Sequence, residues 1–378
     1  MPSERQTFVA GLKVFLIGVS LPGQPGYVVD EHLDELAELA SSAGAQVAGR
    51  SIQARKAPHA ATFVGPGKAE LLRDACAATG AEVLVFDDDL SASQTSKLED
   101  ITACAVIDRS ALILEIFRAR ARSREARTQV ELAQLEYQLP RLTRRWTHLS
   151  RQVGGIGVRG GEGETQLEAD RRMLRQRIRK LKKDLVRIER TRKVQRGGRR
   201  DVISVALAGY TNAGKSSLFN RLTQAKVRVE DRVFATLDSR LRRGALGNGQ
   251  VVVFADTVGF IRKLPHHLVA SFRGTLEEVV AADLVLHVVD RSHSAWEEHL
   301  RVGNDVLEDL GVPDERVLLV FNKSDLLGKA TAGGVMAVSA LEGSGMDALR
   351  QEISARLHPD ETAGRGLCDY LDRTVLAT

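Results

Sequence analysis

With 378 residues, 43% of them hydrophobic, the chain can bury sizeable cores in two or three domains. No apolar run approaches the roughly 20 residues a spanning helix needs, and Met1-Pro2-Ser3-Glu4-Arg5-Gln6 is too polar for a secretory leader, so a cytoplasmic protein with no membrane partner is expected. The net charge of +5 conceals an asymmetry: residues 118–200 carry 25 Lys+Arg against 9 Asp+Glu, which leaves −11 for the remainder and points to a polyanionic partner, unless the cations merely solvate helices.

Residues 1–109 alternate β-rich runs (14–19, 82–86, 104–108) with helical stretches (30–43, 65–78), the rhythm of an N-terminal α/β domain with a largely parallel sheet. Gly65-Pro66-Gly67-Lys68 lacks the spacing of a phosphate loop and reads as a turn opening a helix. Cys76, Cys104 and Cys368 are far apart in the chain, odd in number and without ligand spacing, which argues for reduced thiols and against zinc.

Residues 110–195 read as a basic antiparallel helical hairpin. Leu132, Leu135, Leu139, Leu142 and Trp146 form one heptad seam, broken at Pro140; Leu167, Leu174, Ile178, Leu181, Leu185 and Ile188 form the other. Between them lies a Gly-rich tip, 154–163, with six glycines in ten positions, and Thr165 with Glu168 makes a capping box that restarts the helix. Residues 196–200 read as a linker, 201–358 as a second α/β domain with strands at 203–208, 251–254, 284–289, 317–321 and 335–338, and 359–378 as a short tail.

The second domain carries the chemistry. Gly209-Tyr210-Thr211-Asn212-Ala213-Gly214-Lys215-Ser216, followed by Ser217, is a P-loop in its strand-to-helix context. Its amides and helix N-terminus suit phosphates, Lys215 suits the β and γ groups, and the Ser216 hydroxyl suits magnesium. Asn322-Lys323-Ser324-Asp325 selects the base, because a carboxylate can accept from N1–H and the 2-amino group of guanine, and adenine offers neither. Asp256-Thr257-Val258-Gly259 should hold magnesium through water at Asp256 and meet the γ-phosphate at the Gly259 amide. Ser339-Ala340-Leu341 fits a backbone contact to guanine O6, and Thr236, within Phe234-Ala235-Thr236-Leu237-Asp238, is the candidate to complete the magnesium shell. These residues predict a P-loop domain that binds GTP and GDP. Where Ras-like proteins place a water-orienting Gln, this chain has Phe260, so slow hydrolysis awaiting stimulation is expected. Asn212 is a candidate ligand for a monovalent cation such as potassium, a bond across the loop being the plainer reading.

Taken together, the chain resembles the HflX family of ribosome-associated GTPases. The likeness rests on Phe63-Val64-Gly65-Pro66-Gly67-Lys68, on Gln129 to Leu135 through Gly154-Gly155-Ile156-Gly157 to Gly163-Glu164-Thr165-Gln166-Leu167-Glu168 and Arg172, and on the Phe234 and Asp256 motifs. The resemblance implies binding to the large ribosomal subunit through the N-terminal region and hairpin, with Arg151, Arg159, Arg171, Arg172 and Arg175 as candidate RNA contacts, and splitting of stalled ribosomes with GTP bound. A monomer is expected. Two departures are Arg159-Gly160-Gly161-Glu162-Gly163-Glu164 at the tip, where a proline is common, and Ser239-Arg240 in place of Pro-Thr after Asp238. Competing readings are an RNA-remodelling protein with a regulatory GTPase domain, and a GTP-dependent switch for a protein partner.

Overall fold

The computed structural model of the chain describes residues 7–142, 163–197, 203–224, 233–234, 236–246, 249–263, 273–327 and 336–357. The hairpin tip up to residue 162, with Trp146, Arg151 and Arg159, lies outside them, as do Ala235, Cys368 and the tail. The chain gathers into two compact units: Met1–Arg200 with Glu230–Ser239 and Val258–Glu277, and Asp201–Val229 with Arg240–Thr257 and Glu278–Thr378.

In the first unit, β1 (Lys13–Ser20), β2 (Gln46–Ala54), β3 (Val83–Phe86) and β4 (Ala105–Asp108) form a parallel sheet in the order β2-β1-β3-β4. The sequence reading did not name β2, and its reason is visible: no residue of the strand is buried, so it lacks a continuous apolar run. Three helices complete this α/β layer: α1 (Gly26–Ser42), α2 (Pro66–Thr79) and α3 (Ala92–Thr102). Pro66 occupies the first turn of α2, where its missing N–H costs nothing, and Gly80 ends that helix at φ 69°. Gly65-Pro66-Gly67-Lys68 is therefore the turn into a helix. A capping box of Ser91 and Gln94 starts α3. Cys76 and Cys104 are both free thiols, near enough to influence each other electrostatically despite their separation in the chain. Burial, with the neighbouring Cys104 thiol, raises the Cys76 thiol to about 12.

Helix α4 (Arg109–Arg120) follows β4 without a linker, and Asp108 caps it by accepting from the Ala111 amide at 2.9 Å. The same carboxylate accepts from Tyr137 Oη at 2.8 Å and Arg141 Nη2 at 3.0 Å, while Arg141 stacks on the Tyr137 ring. Burial lifts the Asp108 pKa, against the opposing charge of Arg141. This knot fixes the root of the hairpin. Its arms are α5 (Arg124–Gln138) and α6 (Gly163–Gly197), joined by one apolar cluster of Leu132, Leu135, Ile178 and Leu181, with Leu139, Leu174 and Leu185 packed against it. Pro140 lies in a short 3-10 turn that ends the first arm, as its missing donor requires. Helix α6 begins at Gly163, ahead of the expected capping box, and runs through residues 196 and 197 of the expected linker.

In the second unit the strands are β5 (Ser204–Gly209), β6 (Arg240–Ala245), β7 (Val251–Asp256), β8 (Leu284–Asp290) and β9 (Val317–Asn322), in the order β6-β7-β5-β8-β9. β6 alone is antiparallel. Its sequence, Arg-Leu-Arg-Arg-Gly-Ala, has too little apolar content to be foreseen as a strand. Helices α7 (Lys215–Thr223), α8 (Arg273–Ala281), α9 (Trp296–Asp309) and α10 (Met346–Leu357) complete the count among the described residues. Of the strand expected at 335–338, residue 335 lies outside the described residues, and 336–338 form an isolated parallel bridge, Ala337 beside Phe321. The core here gathers Val205, Leu207, Leu218, Phe219, Phe254, Leu286, Val320 and Ile353. Among the described residues no helix is long and apolar enough to cross a membrane.

A candidate nucleotide-binding site

The turn from β5 into α7 depends on glycine at both ends. Gly209 has φ +139°, and a Cβ there would lie 2.1 Å from the Val288 carbonyl oxygen; at Gly214, φ +86°, it would lie 2.1 Å from Asn322 Nδ2. Any side chain would force the loop open. Between them Asn212 is exposed and left-handed at φ 60°, a conformation that Asn tolerates. Lys215 is buried, and its ammonium donates to the carbonyls of Gly209 at 3.0 Å and Tyr210 at 2.6 Å. Burial lowers its pKa to about 8, although the Asp256 carboxylate pulls the other way.

Asp256 ends β7 with no solvent exposure and accepts from the Ser216 hydroxyl at 2.7 Å. A hydroxyl and a buried carboxylate side by side are hard oxygen donors that fit magnesium. Thr257, the next residue, spends its hydroxyl on the Leu207 carbonyl at 2.6 Å and so locks the end of β7 to β5. The Tyr210 ring stacks on His299, centroids 3.8 Å apart and 9° from parallel, which braces the loop from α9.

At the base-recognition end, Asn322 bridges two loops: its Nδ2 donates to Ala213 O at 2.9 Å and its Oδ1 accepts from the Ala340 amide at 3.0 Å. Lys323 is left-handed at φ 60°, and its ammonium pairs with Asp290 Oδ2 at 2.7 Å. The other oxygen of Asp290 accepts from the Ser292 amide at 3.0 Å and its hydroxyl at 2.6 Å. The amide of Ser324 donates to Val338 O at 3.1 Å, joining this loop to the one at Ser339. Asp325 Oδ1 is buried and has no hydrogen-bond partner among the described residues. A carboxylate oxygen left so is destabilising by itself, and the paired donors of a guanine edge would satisfy it. Ser339 is fully buried and its hydroxyl accepts from the Glu342 amide, whereas Leu341 is 77% exposed.

Residues 230–239 and 258–277 belong to the first unit. Phe234 packs edge-on against Phe117, centroids 4.6 Å apart. The Val233 carbonyl accepts from Arg120 Nη1 at 2.7 Å and from the Ser42 hydroxyl at 3.0 Å. Asp238 accepts from the amides of Arg122 at 3.0 Å and Ser123 at 3.1 Å and from the Ser123 hydroxyl, at the start of α5. Thr236 is buried between these two anchors, and Leu237 is buried with it. Phe234 and Asp238, both named among the expected nucleotide contacts, have side chains that fasten the segment to the root of the hairpin. Beyond Gly259, Val258, Phe260 and Ile261 are buried. Arg262 donates to Glu35 at 2.8 Å, and Lys263 donates to Asp87 at 2.7 Å and Asp88 at 2.5 Å. Arg109, 1% exposed, completes this network with Asp87 at 2.6 Å and Glu35 at 2.7 Å. Burial alone would raise the Asp87 pKa, but the charges of Arg109 and Lys263 prevail and hold it low.

On α6, Arg172, Arg175, Arg179, Lys180, Lys183, Arg187 and Arg190 are exposed. Arg177 and Lys182 are paired with Glu131 and Glu136 of α5 at 2.6 and 2.8 Å, and Arg171 is partly buried, donating to Leu142 O at 3.0 Å.

Three family descriptions match in succession: "GTP-binding GTPase N-terminal" over residues 30–118, "GTP-binding GTPase Middle Region" over 120–199 and "50S ribosome-binding GTPase" over 204–323. GTPase HflX of Magnetococcus marinus is 48% identical over 330 residues, covering 85% of this chain and 76% of that protein. The chain belongs to the HflX family. GTPase HflX of Escherichia coli K12 is 47% identical over 338 residues, covering 86% and 79%. A solved structure titled as a complex of SsGBP and GDP is 24% identical, covers 92% of this chain and 99% of that one, and superposes with a TM-score of 0.50, a likeness of fold.

As an HflX GTPase the protein binds and hydrolyses GTP. The structure brings Lys215, Ser216, Asp256, Asn322, Lys323, Asp325, Ser339 and Ala340 into one unit and places Thr236 and Gly259 in the other. Two participants escaped the motif reading. Asp290 carries a faint signal, a carboxylate ending a buried strand next to the one that ends at Asn322. Arg221, on the P-loop helix, carries none.

Proposed function

We propose that this HflX GTPase acts on the large ribosomal subunit, docking the exposed cationic side of α6 on ribosomal RNA when GTP is bound and releasing it after hydrolysis. The observation that carries the reading is the division of labour on α6: apolar residues close the hairpin, and a dense row of exposed cations is left over. Such a row displaces counterions from a phosphate backbone, so affinity should fall steeply with salt. Arg172 and Arg175 are the better contact candidates, because Arg171 is engaged with the chain itself.

Ser216, and Asp256 through water, would hold magnesium, which would supply neutralisation of phosphate charge. Lys215 draws charge from the β and γ phosphates, Thr236 answers to the γ-phosphate state, and the Gly259 amide does likewise. Asn212 is the candidate ligand for a monovalent cation. Phe260 cannot orient water, so the ribosome supplies or repositions the group that speeds hydrolysis. The task proposed for it is to split or rescue stalled ribosomes.

Co-sedimentation tests the reading. With a non-hydrolysable GTP analogue the protein should pellet with large subunits at low salt, lose binding steeply as salt rises, and pellet poorly as Arg172→Glu/Arg175→Glu. Pelleting that ignores both nucleotide and these charges would remove the ribosomal assignment.

A further inference from the structure

We propose that Arg221 is a positioning residue for guanine, setting the 339–341 loop against the helix that carries the phosphate-binding Lys215 and Ser216. This rests on the guanine reading of Asp325 and goes beyond it, since Arg221 belongs to no recognised nucleotide motif.

The geometry is specific. From the last turn of α7, Arg221 donates Nε to the Ala340 carbonyl at 2.9 Å and Nη2 to the Leu341 carbonyl. A guanidinium is a rigid fork, so holding two successive carbonyls fixes the orientation of the peptide between them. The N–H of a trans peptide points opposite to its carbonyl, so anchoring Ala340 O toward α7 turns the Leu341 amide away from that helix. The neighbouring Ala340 amide is oriented from the other side by Asn322 Oδ1. The Ala340 amide is thereby committed to Asn322, and the Arg221 clamp aims the Leu341 amide at the purine 6-oxo group.

The rest of the loop is built to accept this clamp. Gly343, φ +91°, lies where a Cβ would touch the Arg221 guanidinium at 3.5 Å, and its amide donates to Ser339 O at 2.8 Å. Gly345, φ +73°, lets the chain pass so close to residue 337 that a Cβ would meet its carbonyl at 2.4 Å. The Arg221 carbonyl accepts from Arg350 of α10 at 3.0 Å, so the helix turn bearing the clamp is itself held. Movement of the loop away from α7 must break the fork first. Arg221 therefore governs how long a guanine nucleotide stays bound, and leaves turnover of bound GTP to the phosphate end.

The test uses the full chain. Arg221→Ala should weaken GDP about tenfold and speed release of a fluorescent GDP correspondingly. Arg221→Lys, which offers one point donor in place of a fork, should recover part of the loss. The decisive readout is the preference for GDP over 6-thio-GDP, whose sulfur accepts hydrogen bonds poorly while N1–H and the 2-amino group remain. A positioning role predicts that this preference shrinks severalfold in Arg221→Ala. Equal weakening of both nucleotides, or no weakening in a folded variant, overturns the proposal. Asp325→Asn is the control: unaltered preference for guanine over xanthine nucleotides there would bring down the base site itself and Arg221 with it. A normal shift in that control, with Arg221→Ala inert, condemns Arg221 alone.

Discussion

Binding of a nucleoside diphosphate should draw a proton from solution in mildly alkaline buffer, because Lys215 is buried and its pKa is lowered to about 8. Phosphates bind the charged ammonium, so above that pH the free protein must first take up a proton, and affinity falls as pH rises. With a pKa near 8 in the free protein and well above it in the complex, the neutral fraction is about 0.1 at pH 7 and about 0.75 at pH 8.5. GDP should therefore bind about fourfold more weakly at pH 8.5, a difference of about 0.8 kcal/mol. Isothermal calorimetry in buffers of different ionisation enthalpy measures the uptake directly: about 0.1 proton per GDP at the lower pH and about 0.75 at the higher. At pH 8.5 the terminal β-phosphate of GDP is almost fully ionised and guanine N1 is still mostly protonated, so the rise in uptake belongs to the protein. No rise in uptake between the two pH values would mean that Lys215 is already charged in the free protein and that its carbonyl cage outweighs burial.

Gly303→Ala should destabilise the second unit by about 1–2 kcal/mol in urea unfolding: its Cβ would fall 2.2 Å from Nε2 of the buried His287, and overpacking outweighs the gain in helix propensity. His287→Ala in the same background should relieve the strain, and a stabilised single variant would show that the ring moves freely. Burial also lowers the His287 pKa to about 4, opposed by the Asn304 side chain, which accepts from the ring, and helped by the Lys215 charge. The unfolded state takes the proton first, so stability is lost as pH falls from about 6.5 to about 4, by up to about 3 kcal/mol. His287→Leu should flatten that part of the pH profile, and an unchanged slope would refute the assignment.

How legible was this protein in its residues? The nucleotide motifs were readable because each phosphate or base contact demands particular atoms at fixed spacing. Gly209 and Gly214 tolerate no Cβ, Lys215 and Ser216 open a helix, and Asp325 offers the carboxylate that guanine requires. The hairpin was readable because Leu132, Leu135, Ile178 and Leu181 repeat at heptad spacing. Strands β2 and β6 were missed because neither presents the apolar run or clean alternation that marks a strand.

Local chemistry thus settled the nucleotide, the family resemblance and the seam of the hairpin, since each is written in residues close together in the chain. Tertiary structure alone decided what joins distant segments. Arg221 reaches the 339–341 loop, Asp290 holds Lys323, and Cys76 meets Cys104. Phe234 and Asp238 turn to the hairpin root through contacts more than 110 residues away in sequence. No spacing rule encodes such pairs, because the distance between their partners is fixed only once the sheets have set where each strand ends.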